Sequence, residues 1–262
     1  MQAHLSNRTA MVTGASSGIG RAVAVLLAKC GAQVFACDLS VRDENRQHFQ
    51  DFGIVQSICD VRSSDAIQRW VDLVHQQAAG IDILVNNAGI VMVKQVPDAS
   101  EADWDACLDT NLKSAFLLSR LVIPFMKKRG GGSIVNIASN AGILPRAHDP
   151  VYSTSKGALM AFTRSLALCH SVDRIRVNSV CPGPVSDTEI INQTIAQWSD
   201  PANATAQLIE ASPLARALGR MITPEEVAQA VLYLVSDASV MVTGTAIAID
   251  GGKSLGVPPR ID

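Results

Sequence analysis

The sequence predicts an α/β fold in which one doubly wound, mostly parallel sheet of seven strands is flanked by helices. Short apolar runs rich in β-branched residues alternate along the chain with longer stretches of helical spacing. The apolar runs show no polar alternation, which indicates strands buried on both faces, as in parallel sheets covered by helices. Because no Pro-, Gly- or Ser-rich linker and no repeat interrupts the 262 residues, we expect a single domain over 1–262.

Taken in chain order, the apolar runs predict strands at 9–13, 33–37, 54–59, 83–85, 133–138, 176–180 and 246–249. The stretches with helical spacing predict helices at 18–30, 64–78, 101–127, 151–170 and 225–235. Residues 182–222 break this alternation with several prolines and one modest helical signal near 202–211. Since a connection of this length in a compact domain is usually functional, we expect a substrate lid within about 184–222.

Composition excludes several classes of function. Hydrophobic residues are 48% and charged residues 18% of the chain, which supplies a full core and excludes a disordered protein. With 22 basic and 24 acidic residues, the net charge of −2 offers no basic field for nucleic acid. No apolar run approaches the roughly 18 residues of a membrane helix, and MQAHLSNRTA lacks the apolar region of a secretory signal. We therefore expect a cytoplasmic protein without membrane or nucleic-acid partners, whose six scattered cysteines are small hydrophobes.

The first predicted strand runs into the glycine-rich turn TGASSGIG, residues 13–20, and then into a helix. Glycines at Gly14, Gly18 and Gly20 let the backbone turn tightly and approach a diphosphate without a Cβ in the way. The N-terminus of the following helix presents free N–H groups and a positive dipole end to that diphosphate. The spacing differs from the common GxGxxG, and a plain strand–helix connection is the alternative. At the first such junction of a parallel sheet, the turn predicts a phosphate site.

The end of the second predicted strand, at Asp38, indicates which dinucleotide the site accepts. A carboxylate there accepts both ribose hydroxyls of NAD and repels the 2′-phosphate of NADP. No Lys or Arg within 15–17 offers that phosphate a cation, although Arg42 is close in sequence. The alternative role of Asp38 is to cap a helix over 41–50. We expect NAD as the cofactor, with NADP as the less favoured alternative.

Tyr152 and Lys156 form a candidate proton-transfer pair at the start of the helix predicted over 151–170. Residues at i and i+4 share a helix face, so their side chains can meet. A tyrosine with an unperturbed pKa of about 10 is a poor base at neutral pH. A neighbouring ammonium and a positive nicotinamide ring both stabilise the phenolate and lower that pKa. An ordinary Tyr–Lys pair on a helix surface is the alternative interpretation.

Further polar residues fall at the same predicted edge of the sheet. Ser139 follows the fifth strand at the carboxyl edge, where open α/β sheets bind ligands, and its hydroxyl can bond a substrate oxygen. The segment NNAG, residues 86–89, closes the fourth strand at that edge. Asn111 lies inside a helical stretch, where a short amide side chain is unfavourable unless it has another task.

Together these motifs resemble the short-chain dehydrogenase/reductase family, in its short classical branch. The resemblance covers about residues 6–252, and its motifs occur in the family's order and spacing: TGASSGIG at 13–20, NNAG at 86–89, Asn111, Ser139, YSTSK at 152–156 and PG at 182–183. The resemblance implies a Rossmann-type fold that binds NAD(P). It also implies a catalytic tetrad of Asn111, Ser139, Tyr152 and Lys156.

In this resemblance Tyr152 is the general acid and base, while Lys156 lowers its pKa and binds the nicotinamide ribose. Ser139 positions the substrate oxygen, and Asn111 holds a water of a proton relay. Besides Asp38, Tyr152 and Lys156, the implied cofactor contacts are Gly14, Ser17, Gly18, Ile19, Gly20, Asp60, Val61, Asn87, Ala88, Gly89, Pro182, Gly183 and Val185. The family's threonine after PG has two candidates, Ser186 and Thr188, because this run is one residue longer than usual; we assign Thr188.

Other motifs are set aside. The five histidines show no metal-ligand spacing, so we expect no metal site and no zinc-dependent mechanism. Residues 153–156 spell SxxK without the companion motifs of penicillin-binding enzymes, and 252–254 imitate only the end of a P-loop. Arg146 and His148 lie between Ser139 and Tyr152, where they either belong to a solvated loop or contact a polar or acidic substrate.

The sequence thus predicts an NAD-dependent oxidoreductase that transfers hydride between a secondary alcohol (a polyol, sugar or hydroxy acid) and NAD. One alternative is an NADP-linked 3-oxoacyl thioester reductase, which would want a cation in place of Asp38. A non-enzyme alternative is an NAD-binding regulator without turnover. The helices over 110–127 and 151–170 carry more apolar residues than one sheet face needs, and in the family they pack against a neighbouring subunit. We therefore expect a homo-tetramer or homo-dimer that acts on a small-molecule alcohol or ketone.

Overall fold

The computed structural model describes residues 4–144, 146–196 and 198–256. The strands within them are β1 (Thr9–Thr13), β2 (Gln33–Asp38), β3 (Val55–Ile58), β4 (Ile83–Asn86), β5 (Gly132–Ile137), β6 (Ile175–Pro182) and β7 (Ala246–Ile249). They form one sheet in the order β3-β2-β1-β4-β5-β6-β7, and every pairing between these strands is parallel. The predicted fold class is confirmed. The predicted strand ends differ from the observed ones by two residues at most, at the end of β6.

Helices cover both faces of the sheet. They are α1 (Gly18–Lys29), α2 (Asp43–Asp51), α3 (Ser64–Gln77), α4 (Glu101–Leu108), α5 (Ser114–Arg129), α6 (Pro150–His170), α7 (Glu189–Ala196), α8 (Pro201–Glu210), α9 (Pro213–Leu218) and α10 (Pro224–Val235). The predicted irregular connection after β6 contains three of these helices, α7 to α9. Arg42 and not Asp38 occupies the N-cap position of α2, so the helix-capping alternative for Asp38 is wrong.

Each face of the sheet has its own apolar core. On one face, buried residues of α1 and α10 pack on the strands: Val23, Ala24, Leu27, Val227, Val231 and Leu234. On the other face, α3 and α5 supply the buried residues Ile67, Trp70, Val71, Val74, Leu118, Val122 and Met126. The five residues of β1 are all buried, as expected for a central strand that is covered on both sides.

The helix predicted over 101–127 is interrupted, which corrects the sequence expectation. A π-helical turn over Asp109–Lys113 separates α4 from α5. Such turns insert one extra residue per turn and occur frequently at functional sites. This one carries Asn111, whose Oδ1 accepts a hydrogen bond from the Ile90 N–H at 2.8 Å and whose Nδ2 donates to the Ile90 carbonyl at 2.9 Å. The helix is therefore irregular at the point where the Asn111 side chain bonds the loop after β4.

The strand order reverses direction between β1 and β4, which are neighbours in the sheet but not in sequence. At such a switch point the connections leave the sheet on opposite faces, and a crevice opens at the carboxyl ends of the two strands. The glycine turn at 13–20 and the NNAG segment at 86–89 leave the sheet at this point. The topology therefore brings the two motifs together.

A buried chain of hydrogen bonds ties α6 to the centre of the sheet. The Asn86 Nδ2 donates to Asn136 Oδ1 at 2.8 Å, and the Asn136 Nδ2 donates to Thr163 Oγ1 at 2.9 Å. The Thr163 hydroxyl in turn donates to the Leu159 carbonyl at 2.8 Å. Asn136 is 0% exposed, so neither of its neighbours has water as a substitute partner.

We expect Asn136→Ala to lower the free energy of unfolding by about 2–4 kcal/mol. The substitution leaves the amide of Asn86 and the hydroxyl of Thr163 buried with a partner missing, which is more costly than the loss of an exposed bond. Chemical denaturation measures the change. The matched control is Asn203→Ala on the exposed side of α8, expected to shift stability by about 0.5 kcal/mol or less. Equal effects of the two variants would contradict a structural role for the buried chain.

Candidate active site

A cleft of about 450 Å³ opens at the carboxyl ends of the strands. Almost all the residues that the sequence predicts for the site line it: Gly14, Ser17, Gly18, Ile19, Asp38, Asp60, Val61, Asn87, Ala88, Gly89, Ser139, Tyr152, Lys156, Pro182, Gly183, Val185 and Thr188. Two predicted residues, Gly20 and Asn111, lie behind the cleft wall instead. The cleft therefore runs from the end of β2, across the glycine turn, to the start of α6.

The glycine turn is shaped by close backbone packing. Gly14 has a φ of +64°, and a Cβ at this position would lie 2.8 Å from the Ala88 Cα. A Cβ at Gly20 would overlap the carbonyl oxygen of Gly14, so Gly20 serves the packing of the turn rather than lining the cleft. The first turn of α1 contains no acidic residue, and no side chain caps its N-terminus. Its backbone N–H groups and positive dipole end are thus suited to an anion.

Two backbone N–H groups hold the Asp38 carboxylate in place at one end of the cleft. Its Oδ2 accepts a hydrogen bond from the Ser16 N–H at 2.9 Å, and its Oδ1 accepts one from the Leu39 N–H at 2.7 Å. A carboxylate oxygen can accept more than one hydrogen bond, so acceptor capacity remains toward the cleft. The residue after it, Leu39, lines the cleft and carries no charge.

Arg42, the cation close to Asp38 in sequence, is engaged elsewhere. Its Nη2 lies 2.9 Å from the Glu189 Oε2. Asp60 and Arg62 form a second ion pair at this end of the cleft, with Arg62 Nη2 at 2.7 Å from Asp60 Oδ2. Hydrogen bonds from Arg62 hold the pKa of Asp60 below its usual value. The cations near Asp38 are therefore paired with carboxylates.

The NNAG segment braces the glycine turn. The Asn87 Nδ2 donates to the carbonyl oxygens of Thr13 and Gly14, both at 2.9 Å. The Thr13 hydroxyl accepts the N–H groups of Asn87 and Ala88, both at 3.0 Å. Asn87 thus lines the cleft and also fixes the backbone of the turn opposite to it.

Tyr152, Ser139 and Lys156 meet at the far end of the cleft. The Lys156 Nζ lies 5.9 Å from the centroid of the Tyr152 ring and donates to the Ile137 carbonyl at 2.9 Å. The Ser139 hydroxyl is close enough to the Tyr152 phenol to lower its pKa. Ser139 Oγ also accepts the Ala141 N–H at 3.1 Å, which fixes its position at the end of β5. The two groups of the predicted proton-transfer pair lie on one side of α6.

Burial changes the proton affinity of both groups. Tyr152 is 6% exposed, and burial raises the pKa of its phenol, whereas the Ser139 hydroxyl and the charge of Arg146 lower it. Burial lowers the pKa of the Lys156 ammonium to about 8. In the protein alone the net shift of the Tyr152 pKa is upward, opposite to the sequence expectation, because desolvation of the phenolate outweighs the neighbouring charges. A positive ligand beside the phenol acts in the other direction.

Asn111 lies behind the cleft wall, where it contacts Ser155 and the backbone at Gly89. Its Nδ2 lies 3.0 Å from the Ser155 Oγ, and a Cβ at Gly89 would stand 3.2 Å from both the Asn111 Oδ1 and the Lys156 Nζ. Asn111 and Lys156 therefore flank the same backbone position, Gly89. The side chain links the π-helical turn, α6 and the loop after β4.

Of the two candidate residues after the PG motif, Thr188 lies at the cleft. A Cβ at Gly18 would lie 2.9 Å from the Thr188 Cγ2, so this side chain covers the glycine turn. The Ser186 Oγ instead donates to the Ile222 carbonyl at 3.3 Å, and Ser186 does not line the cleft. The segment that follows, including α7 and α8, contributes Glu189, Ile190, Ile191, Gln193, Thr194 and Leu208 to the wall.

Arg146 lines the cleft and His148 does not. His148 is exposed, with Nδ1 3.4 Å from the Gln95 Nε2. Sequence reasoning missed Lys253, which lines the cleft from the turn after β7. Its position directly after the two glycines that follow the last strand was the available signal in the sequence.

Residues 4–144, 146–196 and 198–256 lack two further kinds of feature. No group of three or more His, Cys, Asp or Glu residues is arranged to hold a metal ion there. Nor do those ranges contain a helix with the length and apolar character needed to span a membrane.

Comparison with known proteins places this geometry in context. The family model described as enoyl-(acyl carrier protein) reductase matches residues 14–254. The chain is 36% identical to 3-oxoacyl-(acyl-carrier-protein) reductase FabG from Thermotoga maritima, over 95% of this chain and 98% of that protein. It is 33% identical to D-beta-hydroxybutyrate dehydrogenase from Rhizobium meliloti, over 94% and 98%. The structure of L-sorbose reductase from Gluconobacter frateurii, complexed with NADPH and L-sorbose, superposes with a TM-score of 0.88 at 30% identity and 100% coverage of both chains.

These similarities extend over nearly the whole chain and agree with the parallel seven-stranded sheet. The family resemblance that the sequence motifs indicate is confirmed. The chain belongs to the short-chain dehydrogenase/reductase family, whose members are oxidoreductases that bind nicotinamide cofactors.

Proposed function

We propose that this protein oxidises a secondary alcohol, or reduces the corresponding ketone, with NAD as the cofactor. The observation that supports the proposal most strongly is the single cleft that has Asp38 at one end and Tyr152, Ser139 and Lys156 at the other. A dinucleotide needs a ribose acceptor, a phosphate site and a reactive end in this order. The substrate class remains that of polyols, sugars and hydroxy acids.

The residues present fit a dinucleotide. The glycine turn has no room for side chains at Gly14 and Gly20, and the uncapped N-terminus of α1 offers backbone N–H groups to a diphosphate. Asp38 supplies the acceptors for the adenosine ribose, and Lys156 supplies a donor for the nicotinamide ribose. Pro182, Gly183, Val185 and Thr188 wall the opposite side. When bound, the nicotinamide supplies the hydride acceptor of the oxidation.

In the oxidative direction the Tyr152 phenolate takes the proton of the substrate hydroxyl as the carbon loses hydride. The Ser139 hydroxyl, held by the Ala141 N–H, donates to the substrate oxygen as it becomes a carbonyl. Because the pKa of Lys156 is about 8, this ammonium is mainly protonated at pH 7 and stabilises the phenolate. The proton then leaves by a relay of Lys156 and a water that Asn111 holds from its place behind Gly89.

The alternatives differ in what they require of Asp38 and the tetrad. For the alternative of an NADP-linked 3-oxoacyl thioester reductase, one relative is a 3-oxoacyl-(acyl-carrier-protein) reductase, and the L-sorbose reductase structure is complexed with NADPH. Asp38, fixed at the end of β2 and followed by the uncharged Leu39, favours NAD in this chain. A regulator without turnover would not need Tyr152, Ser139 and Lys156 together at the cleft.

We also propose that the chain is a single domain, that residues from about 184 to 222 form a substrate lid, and that the protein assembles as a homo-tetramer or homo-dimer. The lid is supported by the residues of α7 and α8 in the cleft wall. The assembly is supported by apolar side chains that α5 and α6 leave exposed, such as Phe116 and Leu168, the latter 82% exposed.

Replacement of the proton acceptor tests the proposed reaction. A screen of polyols, aldoses, hydroxy acids and steroids with NAD, repeated with NADP, identifies the substrate. At that substrate, Tyr152→Phe lowers kcat about 10²–10⁴-fold because the acid–base group is lost, while the Kd for NADH changes by much less, since the other cofactor contacts remain. Tyr233→Phe is the matched control, since Tyr233 is the other tyrosine of the chain and lies exposed on α10. Turnover by Tyr152→Phe at the wild-type rate would contradict the mechanism.

Cofactor choice is tested by binding. Fluorescence titration of the wild type with NADH and NADPH gives a Kd for NADH about 100-fold lower, because the Asp38 carboxylate repels a 2′-phosphate. Asp38→Ala combined with Leu39→Arg reverses this order. The control Asp51→Ala removes an exposed carboxylate from α2 and leaves the ratio unchanged. A wild type that binds NADPH as tightly as NADH would show that the proposed NAD preference is wrong.

A further inference from the structure

Charged side chains divide the cleft into an acidic end and a basic end. At the acidic end the cleft is lined by Asp38, by Asp60 with its ion-pair partner Arg62, and by Glu189, which pairs with Arg42. At the other end, beyond Tyr152, the charged side chains of the described wall are those of Arg146 and Lys253, together with Lys156. Lys156 has a role in the proposed reaction, whereas Arg146 and Lys253 have none. These two cations require their own explanation.

Arg146 is oriented by two hydrogen bonds. Its Nη1 donates to the Asp149 Oδ2 at 2.9 Å, and its Nη2 donates to the Asn140 Oδ1 at 2.9 Å. Asn140 is the residue after Ser139, so the guanidinium is fixed next to the proposed substrate oxygen site. The Arg146 side chain is 31% exposed, whereas its partner Asp149 is buried and does not line the cleft. The cation, and not the carboxylate, faces the substrate.

Lys253 approaches from the turn after β7. The nearest carboxylate in sequence, Asp250, accepts the backbone N–H groups of Gly252 at 2.9 Å and Ser254 at 2.8 Å, and it is buried outside the cleft. The Lys253 ammonium forms no hydrogen bond or ion pair with the part of the chain that the structure describes. Burial and, after it, the charge of Arg146 lower the pKa of Lys253, whereas the charges of Asp250 and Asp149 raise it by less, so that the net shift is downward. A half-buried, unpaired ammonium thus stands near a second cation.

An anion bound between Arg146 and Lys253 would stabilise the two cations. A partly desolvated cation beside another cation loses hydration and gains repulsion, and an opposite charge offsets both costs. A neutral polyol or sugar offers hydroxyl groups without that charge. The bidentate fork of an arginine and the point charge of a lysine both suit a carboxylate or a phosphate.

We propose that the substrate alcohol carries an anionic group, a carboxylate or a phosphate, that binds between Arg146 and Lys253 while its hydroxyl lies at Ser139 and Tyr152. The inference rests on the proposed function and narrows its substrate class to anionic secondary alcohols. The diphosphate of a cofactor is not the expected occupant, because the glycine turn that suits it lies on the other side of Tyr152.

Matched pairs of alcohols that differ in charge test the proposal. The pairs are 3-hydroxybutyrate with 3-hydroxybutyramide, and glycerol 1-phosphate with glycerol, each assayed with NAD. The wild type gives a kcat/KM at least about tenfold higher for the anionic member of one pair. Which pair shows this preference distinguishes a carboxylate from a phosphate.

Substitution of Lys253 then locates the preference. Lys253→Gln lowers the ratio of anionic to neutral kcat/KM at least about tenfold, mainly through KM, and Lys253→Arg restores it. Lys127→Gln removes an exposed lysine at the end of α5, far from the cleft, and leaves the ratio at its wild-type value. A ratio near one in the wild type, or the same ratio in Lys253→Gln as in the wild type, overturns the proposal.

A binding measurement without turnover separates this inference from the proposed function. Sodium butyrate has the anionic group but no hydroxyl, and butyramide is its neutral counterpart. In the presence of NAD and at constant ionic strength, butyrate raises the Tm of the wild type, butyramide does not, and Lys253→Gln loses the response. A butyrate response without oxidation of any alcohol would support the anion site and contradict the proposed function. Oxidation of an alcohol with neither a butyrate response nor a preference for the anionic substrate would support the proposed function and overturn the anion site.

Discussion

The buried ammonium of Lys156 is the charge on which the candidate active site depends. It is 3% exposed, donates to the Ile137 carbonyl at 2.9 Å and stands 5.9 Å from the centre of the Tyr152 ring. Burial of a lysine without a carboxylate partner costs stability, and its lowered pKa reflects that cost. We propose that the reaction uses this charge, because its neighbour is a phenol whose pKa burial raises.

Buried hydrogen bonds of the surrounding fold fix the helix that carries Lys156. The buried chain from Asn86 through Asn136 to Thr163 ties α6 to the two central strands, and the π-helical turn lets Asn111 bond both α6 and the loop after β4. These contacts are formed by backbone and short polar side chains, which have few alternative positions. The proposed catalytic side chains therefore stand on regular elements of the fold, whereas α7 and α8 supply another part of the cleft wall.

Sequence reasoning predicts the sheet well because buried parallel strands leave uninterrupted apolar runs, and β1 and β7 are predicted at their observed ends. It fails where a contact distant in sequence decides the structure. The π-helical turn at Asn111 includes a bond to Ile90, and Gly20 lies behind the cleft against the Asn87 side chain as well as the Gly14 carbonyl. Lys253 escaped notice because no local pattern shows that the turn after the last strand returns to the start of α6. The glycine spacing, by contrast, predicts the tight turn after β1, because the backbone of that turn leaves no room for a Cβ.

We propose that a positive ligand and the Lys156 ammonium together make Tyr152 a usable base. Tyr233→Phe leaves Tyr152 as the single tyrosine of the chain, so ultraviolet difference titration of that variant follows one phenol. The account predicts a pKa above its ordinary value of about 10 in the protein alone, and a fall of roughly two units or more when NAD is bound. A phenol that titrates above 10 both with and without NAD would contradict it.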